Sequence, residues 1–77
     1  MIEIHFGGHL VYYAPGRQAH LELPLEAPAR LAPILAQLGI PLGEIAVTSI
    51  NGAWAGLESA EVRPGDRIEL FPPMGGG

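Results

Sequence analysis

Apolar and polar positions alternate at the start of the chain, where Ile2, Ile4 and Phe6 oppose Glu3 and His5. A period of two predicts a strand over residues 1–6 with one buried face. Gly7-Gly8 ends it. The stretch from His9 to Gly16 has no clean period. "LVYYAPG" fits either a short strand extension or an apolar turn over the core edge, and Pro15-Gly16 punctuates it. Alternation returns at 18–23, with Ala19, Leu21 and Leu23 against His20 and Glu22. This second strand would run antiparallel to the first across a long loop. The period then changes. Leu31, Ile34, Leu35 and Leu38 follow the i, i+3, i+4, i+7 stripe of an amphipathic helix. Pro33 falls in its first turn, where the missing amide would have had no intrahelical partner. Gly39 stands where a left-handed cap ends the helix, and Pro41 follows. So short a helix depends on packing rather than propensity.

Residues 45–50, "IAVTSI", are strand-like, and Asn51-Gly52 predicts a type I′ hairpin turn into a strand at 53–57. A loop with Pro64-Gly65-Asp66 precedes a last strand, "RIELF", at 67–71. Ile68 and Leu70 face one way; Arg67, Glu69 and Phe71 face the other. The order is β, β, α, β, β, β. One short helix then covers one face of a mixed sheet of four to five strands. The first and last strands are the most continuous, which predicts them as parallel neighbours at the centre. This is an α+β arrangement of the β-grasp, or ubiquitin-like, kind over residues 1–71, with a diprolyl and glycine tail at 72–77.

Composition narrows the functions. With 77 residues the chain makes one domain with a simple core. A net charge of −4 argues against nucleic-acid binding and suits docking on a basic partner. The absence of cysteine excludes a disulfide scaffold, a thiolate zinc site and a cysteine nucleophile. The absence of lysine leaves no side-chain amine to accept a conjugate. "MIEIHF" does not read as a signal peptide, and no apolar run is long enough to span a bilayer, so a cytoplasmic location is expected.

The hydroxyls Tyr12, Tyr13, Thr48, Ser49 and Ser59 sit in no nucleophile motif, and Ser59 reads as a loop cap. The glycines match no dinucleotide or phosphate loop. The chain is therefore not expected to be catalytic alone. A metal centre from His5, His9 and His20 lacks convergent ligands by alternation, and all three are expected as surface residues, with no metal. Trp54 and Phe71 fall on the polar faces of their strands. Either they pack together or under a loop, or with Met74 they form a protein-binding patch. Pro72-Pro73 forces an extended exit from the sheet. Gly75, Gly76 and Gly77 carry no side chains and can thread a narrow channel. The Gly77 carboxylate is a poor acyl donor until a partner that uses ATP activates it.

The whole chain resembles the MoaD/ThiS family of ubiquitin-like sulfur carriers. The resemblance rests on "LELP" at 21–24, "LGIP" at 38–41, "INGAW" at 50–54, "PGDRIELFPP" at 64–73 and the glycine end. The "FPP" run is closest to the small subunit of molybdopterin synthase. "FGGHLVYYAPG" departs from the short helix pattern that usually follows the first strand, and Gly75 replaces another small residue. The resemblance implies that an E1-like enzyme uses ATP and magnesium to adenylate Gly77. Sulfur from a persulfide donor then gives a thiocarboxylate, with no cofactor bound by this chain. The tail, Gly75 and Gly76 included, would enter the large subunit of molybdopterin synthase to supply sulfur for molybdenum or tungsten cofactor. The alternatives are thiazole synthase in the thiamine pathway or another sulfur metabolite, a protein modifier conjugated through Gly77, and an interaction module with an inert tail.

Overall fold

The computed structural model describes residues 1–73. Strand β1 (Ile2–Phe6) buries Ile2, Ile4 and Phe6 and turns Glu3 and His5 outward. Strand β2 (His20–Leu23) pairs with it antiparallel, Ile4 opposite Leu21 and His5 opposite His20. Strand β7 (Arg67–Phe71) lies parallel on the other side of β1, Ile4 opposite Ile68. Strands β4 (Val47–Ile50) and β5 (Ala53–Ala55) complete a five-stranded sheet in the order β2-β1-β7-β4-β5. The expected parallel centre is therefore present, and the fold is a β-grasp.

The β4–β5 turn has positive φ at both central residues, 53° at Asn51 and 86° at Gly52, as a type I′ hairpin requires. Asn51 also ties the turn to the last strand. Its side-chain nitrogen donates to Asp66 Oδ1 at 2.9 Å, and its Oδ1 accepts from the Arg67 amide at 2.9 Å.

Helix α1 (Leu31–Gln37) covers the inner face and buries Leu31 and Leu35. Its start has no side-chain cap. Instead the Leu31 amide bonds to the Ala60 carbonyl at 3.0 Å, and Pro33 has no amide to satisfy. Its end is a complete Schellman motif. Gly39, at φ 84°, donates to Ala36, and Ile40 donates to Leu35, both at 3.1 Å. Leu35 and Ile40 are both buried, which supplies the motif's apolar component. These side chains meet Ile2, Ile4, Phe6, Leu10, Val62, Ile68 and Leu70 in one core.

Four details differ from the sequence reading. Residues 8–13 and 15–17 form 3-10 turns, so the apolar turn holds and the strand extension does not, and a short helical element does follow β1. Leu10 of this segment is fully buried in the core. The fourth strand starts at Val47, not residue 45, because Leu42–Glu44 makes a 3-10 turn. The fifth stops at Ala55, where a turn begins with the Ser59 amide on the Gly56 carbonyl. Finally, β3 (Ala29–Arg30) and β6 (Glu61–Val62) pair as a separate small sheet beside the helix start.

Candidate functional site

The exit of the chain from β7 is held by three separate stretches of sequence. The Gly7 amide donates to the Leu70 carbonyl at 2.8 Å, and the Ala46 amide donates to the Phe71 carbonyl at 2.9 Å. Strand β7 is thus bonded on both sides up to its last residue. The two glycines after β1 also sit against the exit. A Cβ on Gly7 would lie 2.9 Å from the Leu70 oxygen and 2.9 Å from Phe71 Cδ1. A Cβ on Gly8, which has φ 53°, would lie 2.8 Å from Pro72 Cγ. Only a bare backbone allows Pro72 to leave the sheet along this line.

Beside the exit lies an apolar groove of about 250 Å³ lined by Val47, Trp54, Phe71 and Pro72. Register builds it. Phe71 is opposite Val47 on β4, and Trp54 is opposite Ser49 two residues further on. The Trp54 and Phe71 rings meet edge to face, with centroids 6.4 Å apart. Trp54 is nevertheless 74% exposed. The aromatics thus pack together, as one of the two sequence readings has it, and Trp54 remains largely exposed. A second hollow, of about 520 Å³, continues past Trp54 along Ala46, Val47, Thr48, Ala55 and Gly56. Large apolar side chains grouped on a solvent face are characteristic of docking surfaces. Met74, Gly75, Gly76 and Gly77 lie outside the described residues.

The hydroxyls offer no nucleophile. Ser59 Oγ donates to the Gly56 carbonyl at 3.3 Å, the loop-capping role expected of it. Ser49 Oγ donates to Glu69 Oε1 at 3.2 Å. Thr48 Oγ1 is buried with no partner among the described residues. Of the histidines, His9 is separate, 3.3 Å from Glu44 Oε1. His5 and His20 are brought together on the outer face, which the sequence did not reveal. Their rings stack at 4.5 Å beside Glu3. No helix among the described residues is long and apolar enough to cross a membrane.

The site thus consists of a hydrogen-bonded strand end, a diprolyl exit and an apolar groove at its base. The model of the ThiS family matches residues 10–77, most of the chain, with Phe71-Pro72-Pro73 inside the match and Gly7-Gly8 before it. The chain belongs to the ThiS family. A sulfur-carrier role goes with that membership, and ThiS-family carriers generally work with E1-like adenylating enzymes and synthase partners. No curated protein matches the sequence.

Proposed function

We propose that this chain is a cytoplasmic carrier that delivers sulfur to a pterin precursor in molybdenum or tungsten cofactor synthesis. The observation that carries this reading is the Phe71-Pro72-Pro73 exit seated on Gly7 and Gly8, directly before the Met74-Gly75-Gly76-Gly77 end. The diprolyl pair is the feature that favours a pterin-directed synthase over a thiazole synthase.

The chemistry falls on the Gly77 carboxylate. An activating enzyme joins it to the α-phosphate of ATP, and pyrophosphate leaves. The terminal sulfur of a persulfide attacks the acyl carbon, and AMP leaves. A thiol then reduces the resulting acyl disulfide, and the thiocarboxylate is released. Residues 75–77 serve by having no side chains, so the reacting carbon can approach the nucleotide closely. Trp54, Phe71 and Met74 serve as the apolar contact that holds either partner at the base of the tail. The carrier's negative charge favours encounter with a synthase subunit that presents basic residues for its anionic substrate.

The test is intact mass after incubation with the activating enzyme, ATP, magnesium and a sulfur source. Replacement of oxygen by sulfur adds about 16 Da to the C-terminal residue. The charged carrier is then offered separately to a pterin synthase large subunit and a thiazole synthase. Loss of the added mass with the first alone supports the proposal. Loss with the second alone transfers the chain to the thiamine pathway. No added mass with any activating enzyme refutes the carrier chemistry.

A further inference from the structure

We propose that Glu3, His5 and His20 form a binding site for a zinc-class divalent cation on the outer face of the sheet. One ligand atom from each residue lies within 4.8 Å of the others. His5 Nε2 is 3.6 Å from Glu3 Oε2, and His20 Nε2 is 3.7 Å from the same oxygen. These separations exceed the 2.7–3.2 Å range of an N–H···O hydrogen bond. They approach the ligand-to-ligand edge of about 3.3 Å in a tetrahedron with metal bonds near 2.0–2.1 Å. Two imidazoles and a carboxylate match zinc or a similar borderline ion, with a fourth position for solvent.

The backbone explains the convergence. His5 and His20 are direct partners across β1 and β2. The Phe6 amide bonds to the Ala19 carbonyl at 2.8 Å, so the adjacent His5–His20 pair is a non-hydrogen-bonded pair, in which side chains come closest. The rings stack at 4.5 Å with an interplanar angle of 25°, and ligation of one ion requires one ring to turn about χ2 so that both Nε2 lone pairs meet. Glu3 is two residues from His5 and shares its face.

Two further observations point to a ligand. His5 Nε2 is shut off from solvent and has no hydrogen-bond partner among the described residues. A buried polar atom of this kind calls for an ion or a water. The charges opposite on β7 are also engaged elsewhere. Arg67 is opposite Glu3, yet its guanidinium contacts Glu69 Oε2 at 3.6 Å. Glu69, opposite His5, accepts from Ser49. This leaves the Glu3 carboxylate to the two imidazoles. A cation there would add a side-chain cross-link to the β1–β2 pairing, whose strands are separated in sequence by thirteen residues, 7–19.

The experiment is titration of the full chain with zinc chloride in a non-chelating buffer, followed by calorimetry and thermal unfolding. One equivalent should bind and raise Tm. His20→Ala and Glu3→Gln, both at half-exposed positions, should each weaken binding by more than about ten-fold, because even an outer-shell partner is worth 10- to 100-fold. His9→Gln should leave binding unchanged. In a cobalt titration, a visible absorption band diagnostic of four-coordination should appear with the parent chain and be lost in His20→Ala. No uptake of zinc, or uptake equal in the parent and in folded His20→Ala, overturns the proposal.

Discussion

Gly8→Ala tests how the tail is aimed. The new Cβ meets two costs. At φ 53° it occupies the left-handed region, which costs a residue with a side chain about 1–2 kcal/mol. It also lies 2.8 Å from Pro72 Cγ and 3.3 Å from Pro72 Cδ. Overpacking of this kind adds about 1–3 kcal/mol. Gly39→Ala separates the two. Gly39 has φ 84°, but a Cβ there meets nothing within 4 Å. Gly39→Ala should therefore lose only the first amount, and Gly8→Ala should lose at least about 1 kcal/mol more. In a domain of this size each kcal/mol moves Tm by about 4–8 °C.

The excess cannot be avoided by shifting β7, because Leu70 and Phe71 are hydrogen-bonded on opposite sides. Pro72 must instead rotate away, and the tail leaves in a new direction. Gly8→Ala should therefore also slow thiocarboxylation, whereas Gly39→Ala should not. Adding Pro72→Ala removes the ring atoms involved and should cancel the excess in Tm, as a double-mutant cycle measures. The seating of Pro72 on Gly8 is refuted if Gly8→Ala matches Gly39→Ala in both Tm and activation.

Two other substitutions test the site and the sheet. Trp54→Ala removes a side chain that is 74% exposed, so it should cost less than about 1 kcal/mol of stability. It should weaken binding to the activating enzyme more than ten-fold, by at least about 1.4 kcal/mol in a calorimetric titration. Thr48→Val removes a buried hydroxyl with no partner and should stabilise the fold by about 1 kcal/mol in a urea melt.

Much of this fold is legible in the sequence because several local signals agree. Alternation places Ile2, Ile4, Phe6, Ile68 and Leu70 inward, and all five are buried. Asn51-Gly52 and Gly39 are read from backbone demands that few other residues meet. What escapes the sequence depends on register and on packing. Strands β3 and β6 are two residues each, too short to show a period, and only their position beside Leu31 and Ala60 makes them pair. Leu10 is buried by a 3-10 turn whose six residues carry no helical stripe. The same limit applies to the candidate sites. Alternation puts His5 and His20 on the solvent side, as it does Trp54 and Phe71. It does not say which residues face each other across strands. A long loop leaves register open, and a one-residue slip of β2 would send His20 to the core face.

The geometry of the exit also constrains any partner. Gly7, Ala46 and Leu70 come from three regions of the chain, so the base of the tail is fixed only once the sheet is complete. An unfolded chain would give Pro72 no set direction. From Pro72 to Gly77 there are six residues, and an extended chain of six spans at most about 20 Å. Under the proposed function, a partner that docks against Phe71 and reacts with the Gly77 carboxylate must therefore place its catalytic centre within that distance of the docking surface. Docking far from the exit, on β2 or on the outer side of α1, would use up most of this length before the carbon reached the nucleotide. The groove formed by Val47, Trp54, Phe71 and Pro72 lies where none of it is lost. Rigid docking at the base and bare backbone at the end are then complementary requirements. Under the proposed carrier function, the first fixes where the tail starts, and the second would let its last residue enter a site too narrow for any side chain.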